Sequence, residues 1–314
     1  PVTIFEAASY PRHRVCGEFI TGLAPDTVTR LGLAAALSGA LQHREVAWFL
    51  GGGAKPARVQ RLPLPALGIS RYTLDARLAA TFTGAGGELH SGSRVTDLVP
   101  RPGRVFATGR RRGRSPWLGL KIHVRSLDLL RDLELHLGNH AYVGLARVES
   151  GAVNVCGLFR RRDLCGKGAN LLLGYLQSAG LAPLAARLAA AKFDSDSFCA
   201  VAALSFDRRV SDDGRLCLGD AWAMIPPVTG NGMAMAFQSA EVALDPLIAY
   251  ARNALTWSDA CRAIHAALRR RFRLRLTSAE ALHPFFIQPL GQRFLAALNR
   301  TRLLPLRPLF AALH

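Results

Sequence analysis

The stretch LCLGDAWAMIPPVTGNGMAMAFQSAE, residues 216–241, places an apolar strand, Asp220, two prolines and three glycines ahead of a long predicted helix. Gly230 and Gly232 allow the backbone to approach a ligand closely, and a helix N-terminus offers unpaired N–H groups to an electron-rich group. Asp220 is placed to accept hydrogen bonds from sugar-like hydroxyls. Because no histidine or serine stands beside Asp220, the stretch predicts a site whose bound cofactor carries the chemistry. The alternative is a glycine-rich helix start that only makes a tight turn.

The elements predicted outward from this stretch change character along the chain. Strands are predicted at 2–8, 88–90, 94–99, 104–109 and 215–221, and helices at 21–37, 70–87, 182–193, 231–251 and from 257 onward. Alternating apolar and polar residues predict a block of antiparallel strands at 45–50, 58–64, 117–124, 133–137, 142–148 and 152–159. This order predicts an α/β (α+β) protein of two interleaved lobes with a helical C-terminus.

Arginine dominates the charge of the chain, whose formal net charge is +18. Lysine occurs at only four positions, 55, 121, 167 and 192. A nucleic-acid binder usually uses both residue types, so nucleic acid is not expected as a partner. The arginine clusters are scattered over residues 109–114, 160–162 and 269–275. Because the clusters are scattered, we expect them to lie on solvated faces of the protein. The alternative is that they bind an anionic substrate, or a membrane surface that the basic C-terminal helices contact.

The cysteines predict a reducing compartment. They stand at 16, 156, 165, 199, 217 and 261, and none belongs to a C-x-x-C pair, so a structural zinc site is not expected. They are interpreted as reduced thiols of a cytoplasmic protein. No uncharged apolar run is long enough to span a membrane, and the first residues lack the pattern of a signal peptide, so neither a span nor a leader is expected.

Four segments together resemble the flavoprotein monooxygenase and geranylgeranyl reductase superfamily. GDA…PPVTGNGMAMAFQSA (219–240) resembles its second FAD motif. VTIFEAASYPRHRVCGEFI (2–20) looks like its second strand with a terminal acid, followed by the loop that runs under the cofactor. ISRYTLDARLAATFTGAGGELHSGSRVTDL (69–98) is similar to its R-x-x-L-D-x-x-L helix and next strand, and VFATGR (105–110) to the strand that closes the nucleotide-binding lobe. The resemblance covers most of residues 1–250 in the same order.

The resemblance implies an FAD-dependent oxidoreductase and carries cofactor contacts onto this chain. It implies that Glu6 binds the adenosine ribose, that Asp220 binds the ribityl or pyrophosphate part of FAD, and that the turn at Gly230 faces the flavin pyrimidine ring. The implied cofactor-binding residues are Glu6, Arg14, Cys16, Gly17, Arg71, Gly219, Asp220, Pro227, Gly230, Asn231, Gly232 and Met233. Because no second dinucleotide fingerprint is visible, NADH or NADPH would bind only transiently, or a partner would supply electrons.

The catalytic residues stay unknown, with two candidates in the loop after the first strand. Cys16 has a redox interpretation, since related prenyl reductases carry a Cys-Gly pair near the flavin, and a packing interpretation beside a tight turn. Glu18 contacts substrate or flavin, or faces solvent. Arg14 suits the pyrophosphate better than His13 because its planar fork matches phosphate, and Arg71 lies near the cofactor or on the surface. The strand histidines, 123, 136 and 140, are expected to be satisfied or exposed, and no metal is expected.

The family's first strand and its G-x-G-x-x-G, which seats the pyrophosphate on a helix N-terminus, have no counterpart in the sequence. The ribose-binding acid normally follows those glycines by about 20 residues, so with Glu6 as that acid they would precede residue 1. The GGG at 51–53 lies between two predicted strands and cannot replace them. We therefore expect either a fragment of a longer protein or a chain that has lost this clamp and holds FAD poorly. A family hairpin is likewise reduced to PRPG (100–103).

The sequence thus predicts FAD extended between two lobes, with the antiparallel sheet covering an apolar or aromatic substrate. The FAD-binding domain is assigned to 1–40, 68–108 and 205–255, the substrate domain to 41–67 and 109–204, and C-terminal helices to 256–314. The expected reaction is hydride reduction of an activated double bond or flavin-dependent hydroxylation. The alternative is a non-catalytic, truncated remnant that binds a lipid-like ligand or a partner.

Overall fold

The fold combines one large sheet, two parallel strand pairs and a helical C-terminal region. The computed structural model describes residues 1–110, 113–206 and 214–301. The described strands are β1 (Thr3–Glu6), β2 (Phe19–Ile20), β3 (Leu41–Phe49), β4 (Arg58–Gly68), β5 (Glu88–Ser91), β6 (Val105–Phe106), β7 (Trp117–Arg125), β8 (Leu133–Gly138), β9 (Ala141–Arg147), β10 (Val153–Arg160), β11 (Lys192–Ala202) and β12 (Leu216–Cys217). The described α-helices are α1 (Pro25–Arg30), α2 (Arg71–Gly84), α3 (Gly168–Ser178), α4 (Ala182–Ala189), α5 (Gly232–Ala251), α6 (Trp257–Ile287) and α7 (Pro289–Arg300). Short 3₁₀ turns stand at Glu149–Gly151, Gly219–Ala221 and Pro227–Thr229.

The large sheet has two chemically different faces. Its strand order is β11-β7-β10-β9-β8-β3-β4-β2, and its neighbours are antiparallel except for the parallel pair β3–β8. Because successive side chains of a strand point to opposite faces, Leu120 and Ile122 of β7 reach one face, where they join a core with α3 and α4. Lys121 and His123 of β7 reach the other face together with Asn154 of β10. The second face is therefore the one that carries polar chemistry.

Two parallel pairs lie outside the large sheet. β1 pairs with β5, so that Ile4 lies opposite Leu89, and β12 pairs with β6, so that Leu216 lies opposite Val105. The apolar side chains of β12 share a core with α6, which contributes Phe272. This core fixes β12, and with it the turn that follows, against the C-terminal helices.

Most of the predicted elements are confirmed. The central strands are present, with residues 51–53 between β3 and β4, and the helices predicted at 70–87 and 231–251 appear as α2 and α5. Ser70 caps α2, because its hydroxyl accepts the Thr73 N–H at 3.1 Å. The mixed α/β class, the antiparallel sheet and the helical C-terminus are as predicted over the described residues; residues 111–112, 207–213 and 302–314 lie outside them.

The strand predicted at 94–99 is wrong. In the structure the Asp97 carboxylate accepts the Val99 N–H at 3.0 Å and a hydrogen bond from Arg101 at 2.9 Å. A side chain that bonds its own local backbone offers the chain an alternative to a strand ladder. Despite the alternation of residue types, this segment is therefore irregular and forms no paired strand.

Two helix boundaries are also corrected. The helix predicted at 21–37 is confined to α1, since Gly32 follows it with a φ of +62°, which lies in the left-handed region. The helix predicted at 182–193 ends with α4, and Lys192 already begins β11. Neither β11 nor α3 was predicted. No described helix has the length and apolar character needed to cross a membrane.

Candidate cofactor site

The loop between β1 and β2 delivers Glu18 into the interior between the sheet and α2. Glu18 is completely buried and has a φ of 56°, a backbone conformation that is uncommon for a residue with a side chain. Its Oε1 accepts the Arg71 N–H at 3.1 Å and lies 3.4 Å from Lys121 Nζ, while its Oε2 lies 2.5 Å from His123 Nε2. Of the two alternatives for Glu18, exposure to solvent is wrong, because the side chain is completely buried against Lys121 and His123; contact with substrate or flavin stays a prediction.

Lys121 joins Glu18 to His13 nearer the surface. The completely buried Lys121 places Nζ 3.0 Å from His13 Nδ1, and the His13 ring stacks on Tyr72 at a centroid distance of 4.7 Å. Burial lowers the pKa of His13, and the charge of Lys121 lowers it further. The ligand atoms of His13, Glu18 and His123 lie within 4.8 Å of one another, a spacing that suits a metal ion. Lys121 Nζ lies next to two of these residues, Glu18 and His13. The expectation that no metal binds stays a prediction.

Cys16 lies in the same loop, and its thiol is held by its surroundings. Its Sγ accepts the Glu18 N–H at 3.4 Å, and its carbonyl accepts a hydrogen bond from Asn154 Nδ2 at 2.9 Å. Burial raises the pKa of the Cys16 thiol, although the nearby Arg71 opposes that effect. A protonated thiol is a weak nucleophile, so these surroundings favour a packing role over a redox role for Cys16.

A chain of ion pairs connects Arg71 at the start of α2 to Glu6 at the end of β1. Arg71 Nε and Nη2 each donate to the Asp75 carboxylate at 2.7 Å. Arg14 lies between the two acids, 3.4 Å from Asp75 and 3.6 Å from Glu6. Glu6 also accepts a hydrogen bond from Arg12 at 2.8 Å. Burial raises the pKa of Glu6, but Arg12 and the local backbone outweigh that effect and leave the pKa below its ordinary value.

Asp220 lies in the 3₁₀ turn directly after β12. Burial raises the pKa of its carboxyl, and the neighbouring positive charge of Arg71 opposes the shift. The turn begins at Gly219, which has a φ of 59° and whose N–H donates to Ser239 Oγ of α5 at 2.9 Å. The backbone thus fixes a partly buried acid beside α5, where it can accept hydrogen bonds from a ligand.

The glycine turn before α5 is held in place by β2. Gly230 has a φ of +70°, and a Cβ added there would lie 2.4 Å from the Phe19 ring. Thr21 Oγ1 donates to Asn231 Oδ1 at 2.7 Å. A Cβ added at Gly232, the first residue of α5, would meet no atom within 4 Å. Gly230 is therefore required by the turn itself, whereas Gly232 leaves open space at a helix N-terminus.

The structure brings most of the predicted site residues into one connected region. The contacts described above link Glu6, Arg14, Cys16 and Arg71. Arg71 is also near enough to Asp220 for its positive charge to lower the pKa of that acid. The backbone turns next to this region contain Gly17, Gly219, Gly230, Asn231 and Gly232. Two predicted residues are set apart, since Pro227 is exposed and Met233 packs into the apolar core around Ile20.

Sequence reasoning missed Asp75, Lys121, His123 and Asn154. The signal for Lys121 was available: it is one of four lysines and stands inside the apolar strand WLGLKIHV, where a buried charge needs a partner. Asp75 stands four residues after Arg71, the spacing at which opposite charges meet on a helix. The pairing of Asn154 with the loop at Cys16 had no local signal, because 138 residues separate them.

Solved structures of similar fold are flavin enzymes. PqsL of Pseudomonas aeruginosa, solved with 2-aminobenzoylacetate, shares 17% identity with a TM-score of 0.71, covering 95% of this chain and 92% of its own. HpxO of Klebsiella pneumoniae, solved with FAD and uric acid, shares 14% sequence identity with a TM-score of 0.75, and the match covers 98% of this chain and 88% of HpxO. The flavin-dependent brominase Bmp2 shares 17% sequence identity with a TM-score of 0.75, and the match covers 99% of this chain and 86% of Bmp2. This chain has their fold. No family model and no curated protein matches the sequence.

Proposed function

We propose that this protein is an FAD-dependent oxidoreductase that acts on an apolar or aromatic small molecule, and specifically a monooxygenase. The observation that carries the proposal is the partly buried Asp220 in a turn that is bonded to α5, together with the open N-terminus of that helix at Gly232, in a fold shared with HpxO, which was solved with FAD. The geranylgeranyl reductase branch of the resemblance is the second candidate, supported by the Cys16-Gly17 pair.

The residues present fit an extended dinucleotide. Asp220 would accept hydrogen bonds from the ribityl chain or the pyrophosphate side of FAD. Its pKa is raised because the surrounding protein removes water from the carboxyl, and the hydroxyl groups of a ligand would take the place of that water. The open backbone at Gly232 would face the flavin ring, and Arg14 and Glu6 would face the pyrophosphate and the adenosine ribose. Bound FAD would supply the electron transfer and oxygen chemistry that no side chain in this region offers.

Within that site, the buried group of Glu18, Lys121 and His123 positions the loop that carries Cys16. Glu18 is held by three contacts, to the Arg71 backbone N–H, to Lys121 Nζ and to His123 Nε2, so it holds the loop in its strained conformation against α2 and β7. Neither Cys16 nor Glu18 is placed by these contacts to act as an acid or a nucleophile, and we propose that both orient the site.

Cys16→Ala tests whether the Cys16 thiol takes part in the redox step. Because the thiol is buried with a raised pKa, the substitution is expected to change NADPH-dependent oxygen consumption and FAD content by no more than about twofold, which corresponds to about 0.4 kcal/mol. Oxygen uptake in an electrode cell and the flavin absorption of the purified variant give the two readings. A loss of turnover beyond tenfold at unchanged FAD content would show that the thiol takes part in the redox step.

Oxygen dependence separates the two candidate reactions. A monooxygenase consumes oxygen when its flavin is reduced by NADPH, with uptake that rises in the presence of substrate, whereas a double-bond reductase turns over without oxygen. The corresponding measurement follows NADPH oxidation in air and under argon. Turnover that is equal in both atmospheres favours the reductase, and a folded protein that takes up no FAD favours the non-catalytic remnant.

The pyrophosphate of FAD needs a binding site, and residues 1–314 do not contain the Gly-x-Gly-x-x-Gly motif that usually forms it. We propose that a further strand and helix with these glycines complete the FAD-binding domain, whose other parts are 1–40, 68–108 and 205–255. The exposed apolar side chains of β1, Ile4 at 40% and Phe5 at 56%, support an additional layer there. Reading the DNA upstream of Pro1 in frame tests this, and a stop codon directly before Pro1 would oppose it.

The rest of the proposed organisation follows the same division. The substrate domain comprises 41–67 and 109–204, and the C-terminal helices occupy 256–314. Within these ranges β3, β4 and β7 to β11 belong to one sheet, which supports grouping them as one unit, and β2 from the FAD-binding range is the last strand of the same sheet. A cytoplasmic location is proposed from the six cysteines, none of which is in a disulfide in the described residues.

The C-terminal helices are proposed to contact an anionic lipid surface. The exposed face of α6 carries Arg270 and Arg273 beside Leu274, which is 69% exposed, and α7 exposes Leu290 at 76% and Phe294 at 52%. Basic side chains next to exposed apolar ones are typical of helices that lie on a membrane surface. The charge of this face therefore selects acidic headgroups over neutral ones.

Vesicle binding tests this surface. Each basic side chain near an anionic bilayer contributes about 1 kcal/mol, so Arg270→Gln with Arg273→Gln is expected to lower affinity for phosphatidylglycerol vesicles about thirtyfold. Co-sedimentation measures it, with pure phosphatidylcholine vesicles and high salt as controls. Binding that is equal to both vesicle types, or that ignores the double substitution, would contradict the proposed contact.

A further inference from the structure

The polar face of the large sheet contains a trough that the packing leaves unfilled. Trp48, Leu135, Gly144 and Cys156 stand in register across the neighbouring strands β3, β8, β9 and β10. All four are partly exposed although many residues beside them in the sheet are buried. Since neighbouring strands lie about 4.8 Å apart, three such steps make a trough about 14 Å long.

Gly144 forms the floor of this trough. A Cβ added at Gly144 would have Cys156 O, at 3.9 Å, as its nearest neighbour, so the space above it is open. Gly119 on the same face differs, because a Cβ there would lie 2.9 Å from both Val15 and Leu204. The face is therefore packed at Gly119, where the loop crosses it, and hollow at Gly144.

Asn154 stands beside the Cys156 end of the trough on the same face. Its Nδ2 donates to Cys16 O at 2.9 Å, which fixes the orientation of the amide. Its Oδ1 is buried and has no hydrogen-bond partner among the described residues. A buried acceptor without a donor costs free energy, so this oxygen is suited to a donor that a ligand brings.

The opposite flank is apolar and adjoins the glycine turn of the proposed flavin site. Tyr142 lies two residues from Gly144 along β9 and packs in a cluster with Leu158 and with Val228, which belongs to the 3₁₀ turn before Gly230. Trp48 at the far end lies 6.1 Å from the Phe286 ring, centroid to centroid. Aromatic and aliphatic side chains thus surround the oriented Asn154 acceptor, and two further buried polar atoms, Trp48 Nε1 and the Tyr142 hydroxyl, belong to the same walls.

We propose that this trough binds the substrate, an elongated, flat, apolar molecule whose one O–H or N–H group donates to Asn154 Oδ1. The inference rests on the proposed function in that this sheet face would stand opposite the flavin, but the binding itself needs only the sheet. The length of the trough favours two linked aromatic rings over one. The missing side chain at Gly144 is what admits them.

Equilibrium dialysis with 4-hydroxybiphenyl and biphenyl tests the trough, since the two probes differ only in the donor. The natural protein is expected to bind the hydroxylated probe about tenfold more tightly, the value of one hydrogen bond of about 1.4 kcal/mol. Asn154→Leu is expected to remove that preference while retaining both probes. Gly144→Ala and Gly144→Val should weaken both probes progressively as the side chain fills the trough.

Flavin content and thermal unfolding are recorded for every variant, and Gly174→Ala on α3 is the matched control, because Gly174 also has open space around it. The inference is overturned if neither probe binds the natural protein, if Gly144→Val binds both unchanged, or if Asn154→Leu keeps the preference. A protein that binds the probes but takes up no FAD would instead contradict the proposed function and leave the trough in place.

Discussion

Gly232→Val is expected to abolish FAD binding while the protein stays folded. Gly232 begins α5 with no atom within 4 Å of the position of an added Cβ, so the folded chain has room for the valine side chain. The same space is where a flavin ring would approach the helix N-terminus, and the two isopropyl methyl groups would occupy it. The measurement is flavin absorption of the purified variant alongside its circular-dichroism spectrum.

The neighbouring Gly230 shows why Gly232 is the informative position. A side chain at Gly230 would meet the Phe19 ring and would need a strained backbone, so its replacement would disturb the turn with or without a cofactor. Gly174→Val on α3 provides the control for introducing a β-branched residue into a helix at an open position. A Gly232→Val protein with full flavin content would show that the open space has no role in cofactor binding.

Asp220→Ala is expected to weaken FAD binding by about 1.5–3 kcal/mol, the range for a hydrogen bond to a charged group, which is about 10- to 150-fold in affinity. The reason is its position in the turn after β12, partly buried and near the positive charge of Arg71. Titration of the apoprotein with FAD, followed by flavin fluorescence, measures the change. An affinity equal to that of the natural protein would remove Asp220 from the site.

The same acid makes a prediction about stability and pH in the absence of FAD. Burial raises the pKa of Asp220 in the folded state, so the folded protein binds a proton more tightly than the unfolded chain does. The free energy of unfolding therefore falls as the pH rises from the unfolded value of about 3.9 through the folded pKa. Asp220→Asn, which cannot ionise, is expected to be more stable than the natural apoprotein at neutral pH and to lose that advantage in acid. Urea unfolding at several pH values measures it, and a variant less stable at neutral pH would contradict it.

A residue that costs stability and contributes binding is typical of a functional site. The opposite directions of the two Asp220 effects, weaker FAD binding and a more stable apoprotein, distinguish this role from a structural one. An acid that merely held the turn together would lower both quantities when it is replaced.

The sequence predicted the parts of the site that depend on local rules. The strand, turn and helix over 216–241 and the helix capped by Ser70 follow from periodicity and from the preferences of glycine, proline and serine, and the structure contains them. The strand predicted at 94–99 failed because alternation does not reveal the local hydrogen bonds that Asp97 makes.

The remaining parts depend on contacts between distant segments. Glu18 was assigned to solvent or to a ligand, yet it meets Lys121, which lies 103 residues later, and His123. Such a pairing is fixed by the order of strands in the sheet and by which face each residue reaches, neither of which is visible in a single sequence. The trough at Gly144 has the same origin, because it exists only when four strands are in register.

The ratio of flavin to protein absorbance after gel filtration tests FAD binding most directly. The protein is saturated with FAD, passed through the column and compared with its Gly232→Val and Gly174→Val variants. We expect a monodisperse, yellow protein with close to one flavin per chain, the same result for Gly174→Val, and a colourless, folded Gly232→Val. A folded parent protein that elutes without flavin after saturation would contradict it.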